Sequence, residues 1–336
     1  MRRRQSHGGP AASRPGSLSR REFLRIAGAG VAASLLAGCG VAARVRRPKL
    51  VVWSCGGNYD FLLDFNQRFE ALAGCRIIYS SAPVEHLISV LASRPRGVDI
   101  LVGRSGPGWS DLQQRGRLAS KPEVFALDPY VIIVPPGNPG GVRSLVDLKR
   151  PGVKTVYSPT ASGPSGKVVQ CVLEAADRVV EPGIWQGYVR NAIEAHDCGW
   201  KVFPPVIEGR ADAAVTRLSM TTAPETAGKV EVIRIPVRVM AAMAEGHGAI
   251  PQRTAVLADT RDPVLAGSYV EALCGELGRE LCGKHGYVHR LAPEAESHRP
   301  LFQMRADGSG RGARGQARAA GTAPSGGRRR GREGGR

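Results

Sequence analysis

Lys49-Leu50-Val51-Val52-Trp53-Ser54-Cys55-Gly56-Gly57-Asn58, read together with the segment up to Gly103, decides the fold. The apolar run at 49–53 predicts a strand, and Ser54 to Asn58 end it in small and polar residues. Residues 59–73 then place Leu62, Phe65, Phe69 and Leu72 at helical spacing, and Gly74 stops the helix. Arg76 to Tyr79 predicts a second strand opening into Ser80-Ser81-Ala82-Pro83. A short helix follows over 84–92, and Val98 to Gly103 is a third strand. Strands alternating with helices indicate a parallel α/β sheet. Strand ends that open into Ser/Gly loops lie at its carboxyl edge, where ligands bind in open α/β folds.

The pattern continues downstream. Tyr130 to Val134 is an apolar strand stopped by Pro135-Pro136-Gly137-Asn138-Pro139. A short helix is expected over 144–148 with Ser144 as its cap, and a strand at 155–157. A helix over 166–180 follows the loop Ser158 to Lys167. Strands are expected at 211–216 and 230–235, and one long helix from Asp262 to Lys284. On that helix Cys274 and Cys282 would stand about 12 Å apart, too far to bridge.

The two ends read differently from the body. Arg20-Arg21 precede an apolar stretch from Ile26 to Ala37. That stretch falls short of the roughly 20 residues a spanning helix needs and has the length and flanks of a signal segment. It resembles a twin-arginine export signal, and Leu36-Ala37-Gly38-Cys39 resembles a lipobox. Residues 1–39 are therefore expected to be a signal peptide, with Cys39 lipidated and the mature chain tethered outside the cytoplasm. Residues 305–336, rich in Gly, Ala and Arg, are expected to be a disordered basic tail.

The formal charge of +18 belongs largely to these ends. Residues 1–39 carry +6 and residues 305–336 carry +7, leaving +5 for the body. The body has no basic run interleaved with aromatics, which argues against nucleic acid. Beyond Cys39 there are six cysteines, which an oxidising compartment allows to pair. None has metal-site spacing, so no metal and no cofactor are expected.

From about residue 49 to 292 the order of segments resembles the solute-binding proteins of molybdate/tungstate-type ABC transporters, within the type II periplasmic binding fold. The likeness is carried by Val52 to Gly57, Tyr79 to Ala82, Val98-Asp99-Ile100-Leu101, Tyr130 to Gly140, Ser144 to Gly152, Glu208 to Val215 and Glu280 to Val288. It implies an α/β fold of two lobes, each a mostly parallel sheet flanked by helices, with the ligand in the cleft. Lobe one would be 49–129 plus 237–297, and lobe two 130–236. It also implies a monomer that delivers a small oxyanion to a permease.

An oxyanion needs hydrogen-bond donors, and four segments offer them. In the first, the resemblance implies a side-chain donor near 57, where this chain has Gly57. Ser54 or Cys55 would have to substitute, or the turn simply needs glycine for a positive φ. In the second, Ser80 or Ser81 would supply a hydroxyl, or cap the next helix. In the third, Ser165 falls where the family's backbone contacts ligand. Ser162 to Lys167 does not complete a nucleotide-binding P-loop, because residue 168 is Val. In the fourth, Thr216-Arg217 puts an arginine where many relatives have a ligand-binding tyrosine. A guanidinium is a bidentate, permanently charged fork. It is either in the site, opening sulfate, phosphate or an organic anion as ligands, or a surface residue facing solvent.

Molybdate or tungstate is the first expected ligand, and another anion, a carboxylate or ferric iron the alternative. Iron would call for clustered ligands, and Tyr59, Tyr79, Tyr157 and His86 show no such spacing. No nucleophile elbow and no His-Glu-x-x-His is present, so an enzyme is not expected.

Overall fold

The computed structural model describes residues 47–93, 97–158, 165–196, 198–243 and 250–303. The signal segment, Cys39 and the basic tail lie outside the described residues. The chain first builds β1 (Lys49–Cys55), α1 (Tyr59–Ala73), β2 (Arg76–Ala82), α2 (Val84–Ala92), β3 (Ile100–Arg104), α3 (Pro107–Gln114) and β4 (Glu123–Leu127). It then builds β5 (Tyr130–Val134), β6 (Thr155–Tyr157), α4 (Ser165–Val179), α5 (Ile184–Arg190), β7 (Ala192–Ala195), α6 (Phe203–Ile207), β8 (Ala213–Arg217), β9 (Glu231–Arg234) and α7 (Val237–Ala241). It closes with β10 (Pro251–Val256), α8 (Pro263–Cys274), α9 (Glu276–Lys284), β11 (Val288–His289) and α10 (Arg299–Phe302).

These strands form two sheets, ordered β11-β4-β10-β3-β1-β2 and β7-β6-β8-β5-β9. The two-sheet α/β expectation holds, but both sheets are mixed. β1 pairs in parallel with β2 and β3, whereas β10 runs antiparallel to β3 and β4. In the second sheet β5 is antiparallel to β8 and β9. The reason is topological: β5 follows β4 and β10 follows β9 of the other sheet, so no crossover within one sheet forces them parallel to their neighbours.

Local chemistry explains the first unit. Helix α1 buries Phe61, Leu62, Phe65 and Phe69 and ends at Gly74, whose φ of 64° forms a left-handed cap over the Glu70 carbonyl. Leu72, which the helical spacing puts on the core face, is 59 % exposed, and Phe61 takes the inner position. The buried Asp99 carboxylate accepts from Val51 N–H (2.8 Å) and Thr260 Oγ1 (2.7 Å) and so ties β1 to the chain after β10. Ser144 does not cap a helix. Its amide and hydroxyl donate to Asp147, whose segment is a 3-10 turn at Val146–Lys149.

The expected long C-terminal helix is two helices. Gly275 is extended (φ −100°, ψ −159°) and separates α8 from α9. Cys274 and Cys282 therefore sit on different helices, so spacing along one helix does not separate them. Both are free, as are Cys55, Cys75, Cys171 and Cys198.

Next to this break His289 is buried. Its Nε2 lies 3.1 Å from the Leu273 carbonyl, while Nδ1 accepts from Leu291 N–H at 3.1 Å. Both contacts suit a neutral ring with its proton on Nε2. Burial holds the histidine below its ordinary value of 6.5. The unfolded chain takes up a proton near 6.5 and the folded chain resists it, so stability is lost as pH falls from about 6.5 toward the lower folded value. Urea unfolding at pH 7.5, 6.5 and 5.5 checks this. His289→Asn should flatten the slope in that window, and an unchanged slope would assign it to another group.

The two sheets meet where the chain crosses between them. The outgoing crossing is Asp128-Pro129, and Asp128 N–H donates to the Ile250 carbonyl at 2.8 Å just before β10. Among the described residues no helix is long and apolar enough to cross a membrane.

Candidate functional site

The parallel strands β1 and β3 end at the same edge, and β8 of the other sheet ends opposite them. Between these ends lies a cleft of about 760 Å³. The first sheet's side contributes Gly57, Phe61, Arg104 and Tyr287, and the second sheet's side contributes Trp200, Arg217, Ser219 and Met220.

Arg217 is the centre of the cleft. Its side chain is only 12 % exposed, and its Nη1 donates to Asp128 Oδ2 at 3.1 Å. The Asp128 carboxylate is fully buried on the crossing and also accepts from Ser219 N–H (3.1 Å) and Ser219 Oγ (2.8 Å). Burial, the largest single influence, opposes charge on Arg217, but Asp128 together with Tyr130, Tyr287 and Cys55 outweighs it and holds the guanidinium above its usual range. The carboxylate engages one end of the fork, and the guanidinium lines the open cleft as well. The solvent-facing alternative for Arg217 is overturned.

Tyr130 pairs with Arg217 across β5 and β8. Its hydroxyl is buried and, among the described residues, has no hydrogen-bond partner. Burial pushes its pKa up to about 12, against the pull of Arg217 and then Arg104. Arg104 ends β3, and its Nε is also buried without a partner among the described residues. Among the described residues Arg104 forms no ion pair. Buried donors without partners are costly to leave unanswered.

Gly57 serves this arrangement in an unexpected way. Its φ is not positive, so the turn does not demand glycine. A Cβ there would stand 2.7 Å from Arg217 Nη1, so glycine is what lets the guanidinium lie against the 56–58 turn. Tyr287 secures that turn from behind, its hydroxyl 2.8 Å from the Gly57 carbonyl. The obstructing atoms belong to the far end of a flexible side chain. Gly57→Ala should therefore cost little stability, on the order of 0.5 kcal/mol, yet move the guanidinium and weaken anion binding about tenfold or more. Paired melting and calorimetric titration check this, and unchanged affinity would detach Gly57 from the site.

The remaining expected residues are placed less favourably. Ser54 is fully buried, and its hydroxyl lies 2.5 Å from Tyr79 Oη and 3.2 Å from the Cys55 carbonyl. It does not line the cleft. Ser80 and Ser81 lie within β2 and also do not line it; α2 begins after Pro83, so neither caps that helix. Ser165 is the first residue of α4. Thr216 is buried, with its hydroxyl donating to Met220 Sδ at 3.4 Å. The structure thus brings together Gly57 and Arg217, with Thr216 behind them. Arg104 and Tyr130 were missed. Their sequence signal was slight: each is a polar or hydroxylated residue at the edge of an apolar strand.

At the cleft mouth Asp64 meets Lys284 Nζ (2.5 Å) and His285 Nε2 (2.8 Å). The Lys284 and then the His285 bonds hold Asp64 below its usual range. These charges answer one another, unlike Arg104. Among the described residues no cluster of His, Cys, Asp or Glu could hold a metal ion.

Two mixed α/β sheets flanked by helices, with a polar cleft lined from both, have the architecture of the type II periplasmic binding fold. The chain belongs to the family of bacterial extracellular solute-binding proteins, whose model matches residues 50–288. It is 26 % identical to the molybdate-binding protein ModA of Mycobacterium tuberculosis over 241 residues, covering 71 % of this chain and 84 % of that protein. Among solved structures, iron-bound HitA of Pseudomonas aeruginosa superposes with a TM-score of 0.55 at 16 % identity, over 75 % of this chain and 92 % of that one. The sulfate-binding protein SubI of Mycobacterium tuberculosis does so with a TM-score of 0.53 at 17 % identity, over 77 % and 93 %. These two likenesses bear on the fold alone.

Proposed function

We propose that this protein is the extracytoplasmic receptor of an ABC importer and captures a small oxyanion in the cleft between its lobes. One observation carries the reading: Arg104 and Arg217 line the same cleft, Tyr130 is the cross-strand partner of Arg217, and Arg104 Nε and the Tyr130 hydroxyl are buried without partners among the described residues. An oxyanion bound there takes charge-assisted hydrogen bonds from two guanidinium groups and one from the phenol. The backbone of the 56–58 turn supplies a further face. The lobes would close over the ligand about the crossings. The curated relative makes molybdate, and with it tungstate, the first inorganic ligands to assay. The arginine pair favours anions more generally, because a bare oxyanion held by neutral donors needs no guanidinium. Ferric iron is disfavoured, since the cleft presents cations at its inner end. Export by the twin-arginine segment, a lipid anchor at Cys39 and a monomeric mature form that meets its permease belong to the same proposal. Cys39→Ala should then shift the protein from the membrane fraction to the soluble one.

A thermal-shift and calorimetric screen of the mature protein against molybdate, tungstate, sulfate, phosphate and ferric iron tests the reading. A bound ligand at about 100 times its Kd should raise stability by roughly 2.7 kcal/mol. A shift with ferric iron and with no anion would sink it.

A further inference from the structure

A second cavity of about 140 Å³ opens off the cleft on the side of the second sheet. Arg217, Trp200 and Met220 line both spaces, so the two adjoin at the guanidinium. The walls of this bay are apolar: Val169, Val202, Val215, Met220 and Trp200. Its hydroxyls are mostly spent within the protein. Ser158 Oγ donates to the His196 carbonyl at 2.9 Å, and Thr216 Oγ1 donates to Met220 Sδ. Among the described residues only the Tyr130 hydroxyl, 2 % exposed as a residue, is left without a partner, and Tyr130 is the cross-strand neighbour of Arg217. Trp200 is 43 % exposed although it stands at the junction of the two cavities.

A bare tetrahedral oxyanion fills the arginine end and leaves the bay unused. At about 30 Å³ per water in the liquid, the bay would otherwise hold four or five waters against walls that give them few hydrogen bonds. Such water is displaced favourably by an apolar group. Trp200 offers a flat ring for that group to pack on.

We infer that the ligand is an organic oxyanion: a phosphate, phosphonate, sulfonate or carboxylate head held at Arg104, Arg217 and Tyr130, carrying a compact apolar group seated in the bay against Trp200. This rests on the anion-binding reading above and specifies the class of anion.

Two matched pairs of probes test it by calorimetry on the mature protein: inorganic phosphate against phenylphosphonate, and sulfate against benzenesulfonate. In each pair the organic member exchanges one oxygen of the same central atom for the apolar group, and benzenesulfonate carries one negative charge where sulfate carries two, so tighter organic binding in that pair runs against charge. The organic member should bind at least about tenfold more tightly, the scale expected for burying a few carbon atoms. The ratio within each pair should fall to near one in Gly199→Leu, which fills the bay. The backbone accepts a side chain there, since a Cβ at Gly199 meets only Met220 Cε at 3.8 Å. Trp200→Ala should lower the ratio in the same way, and residual binding of the inorganic member reports that each variant is folded. Equal affinities within both pairs, or molybdate binding more tightly than either organic probe, would overturn the inference and leave the anion reading standing. Failure of every anion to bind would overturn both.

Discussion

Arg217→Ala is expected to abolish measurable anion binding and to destabilise the protein by about 3–5 kcal/mol, the cost of leaving one member of a buried ion pair alone. The stability loss comes from Asp128, not from the ligand. Its carboxylate is fully buried and would keep only the two Ser219 contacts after the guanidinium is gone. The binding loss comes from the cleft face of the same guanidinium, where charge-assisted hydrogen bonds are worth about 1.5–3 kcal/mol each, or roughly 10- to 100-fold in affinity. The two effects separate in the double variant Arg217→Ala with Asp128→Asn. A neutral amide costs less to bury, so urea unfolding should recover part of the stability while calorimetry recovers none of the affinity. An Arg217→Ala protein that binds its anion at full strength would remove the residue from the site and leave it a tie of the crossing.

Arg104→Ala should behave in the opposite way. Its affinity for the anion should fall about tenfold to 100-fold, while its stability should stay level or rise slightly. The reason lies in what Arg104 lacks. Its Nε is buried with no partner, and among the described residues the side chain forms no ion pair. Truncating a side chain that holds an unsatisfied buried donor next to a like charge removes a cost. Stability lost along with affinity would mean that Arg104 supports the β3–β10 edge. A loss of affinity alone would mark it as a group kept for the ligand. Arg104→Lys preserves charge but loses the fork, and should recover only part of the binding.

These two arginines also show how far the sequence could be read. Arg217 was visible because it interrupts a segment whose other residues follow the family's order, so its departure stood out. Arg104 was not visible, because an arginine at the end of an apolar strand is an ordinary strand end in one dimension. Ser54, Ser80 and Ser81 mark the opposite error. Hydroxyls after parallel strands are sensible donors, yet Ser54 turns inward to Tyr79, and β2 runs past both Ser80 and Ser81. Strand alternation tells which residues share a face, but not how far a strand continues or which sheet edge it occupies.

The sequence by itself determined the alternation of strands and helices, the α/β class and the carboxyl edge as the place for ligands. Those features follow from the spacing of apolar residues and from turn residues, which act over a few positions. It also located Gly57 and Arg217 on segments that end at that edge. Only the tertiary structure decided that a Cβ at 57 would meet the Arg217 guanidinium, that Asp128 on the crossing holds that guanidinium, that Arg104 lines the same cleft, and that Tyr130 pairs with Arg217. Each of these depends on residues from different sheets meeting where the chain crosses between lobes. No local periodicity encodes such a meeting. It follows from which strand neighbours which, and the pairing of Tyr130 with Arg217 and the return of the chain at β10 settle that.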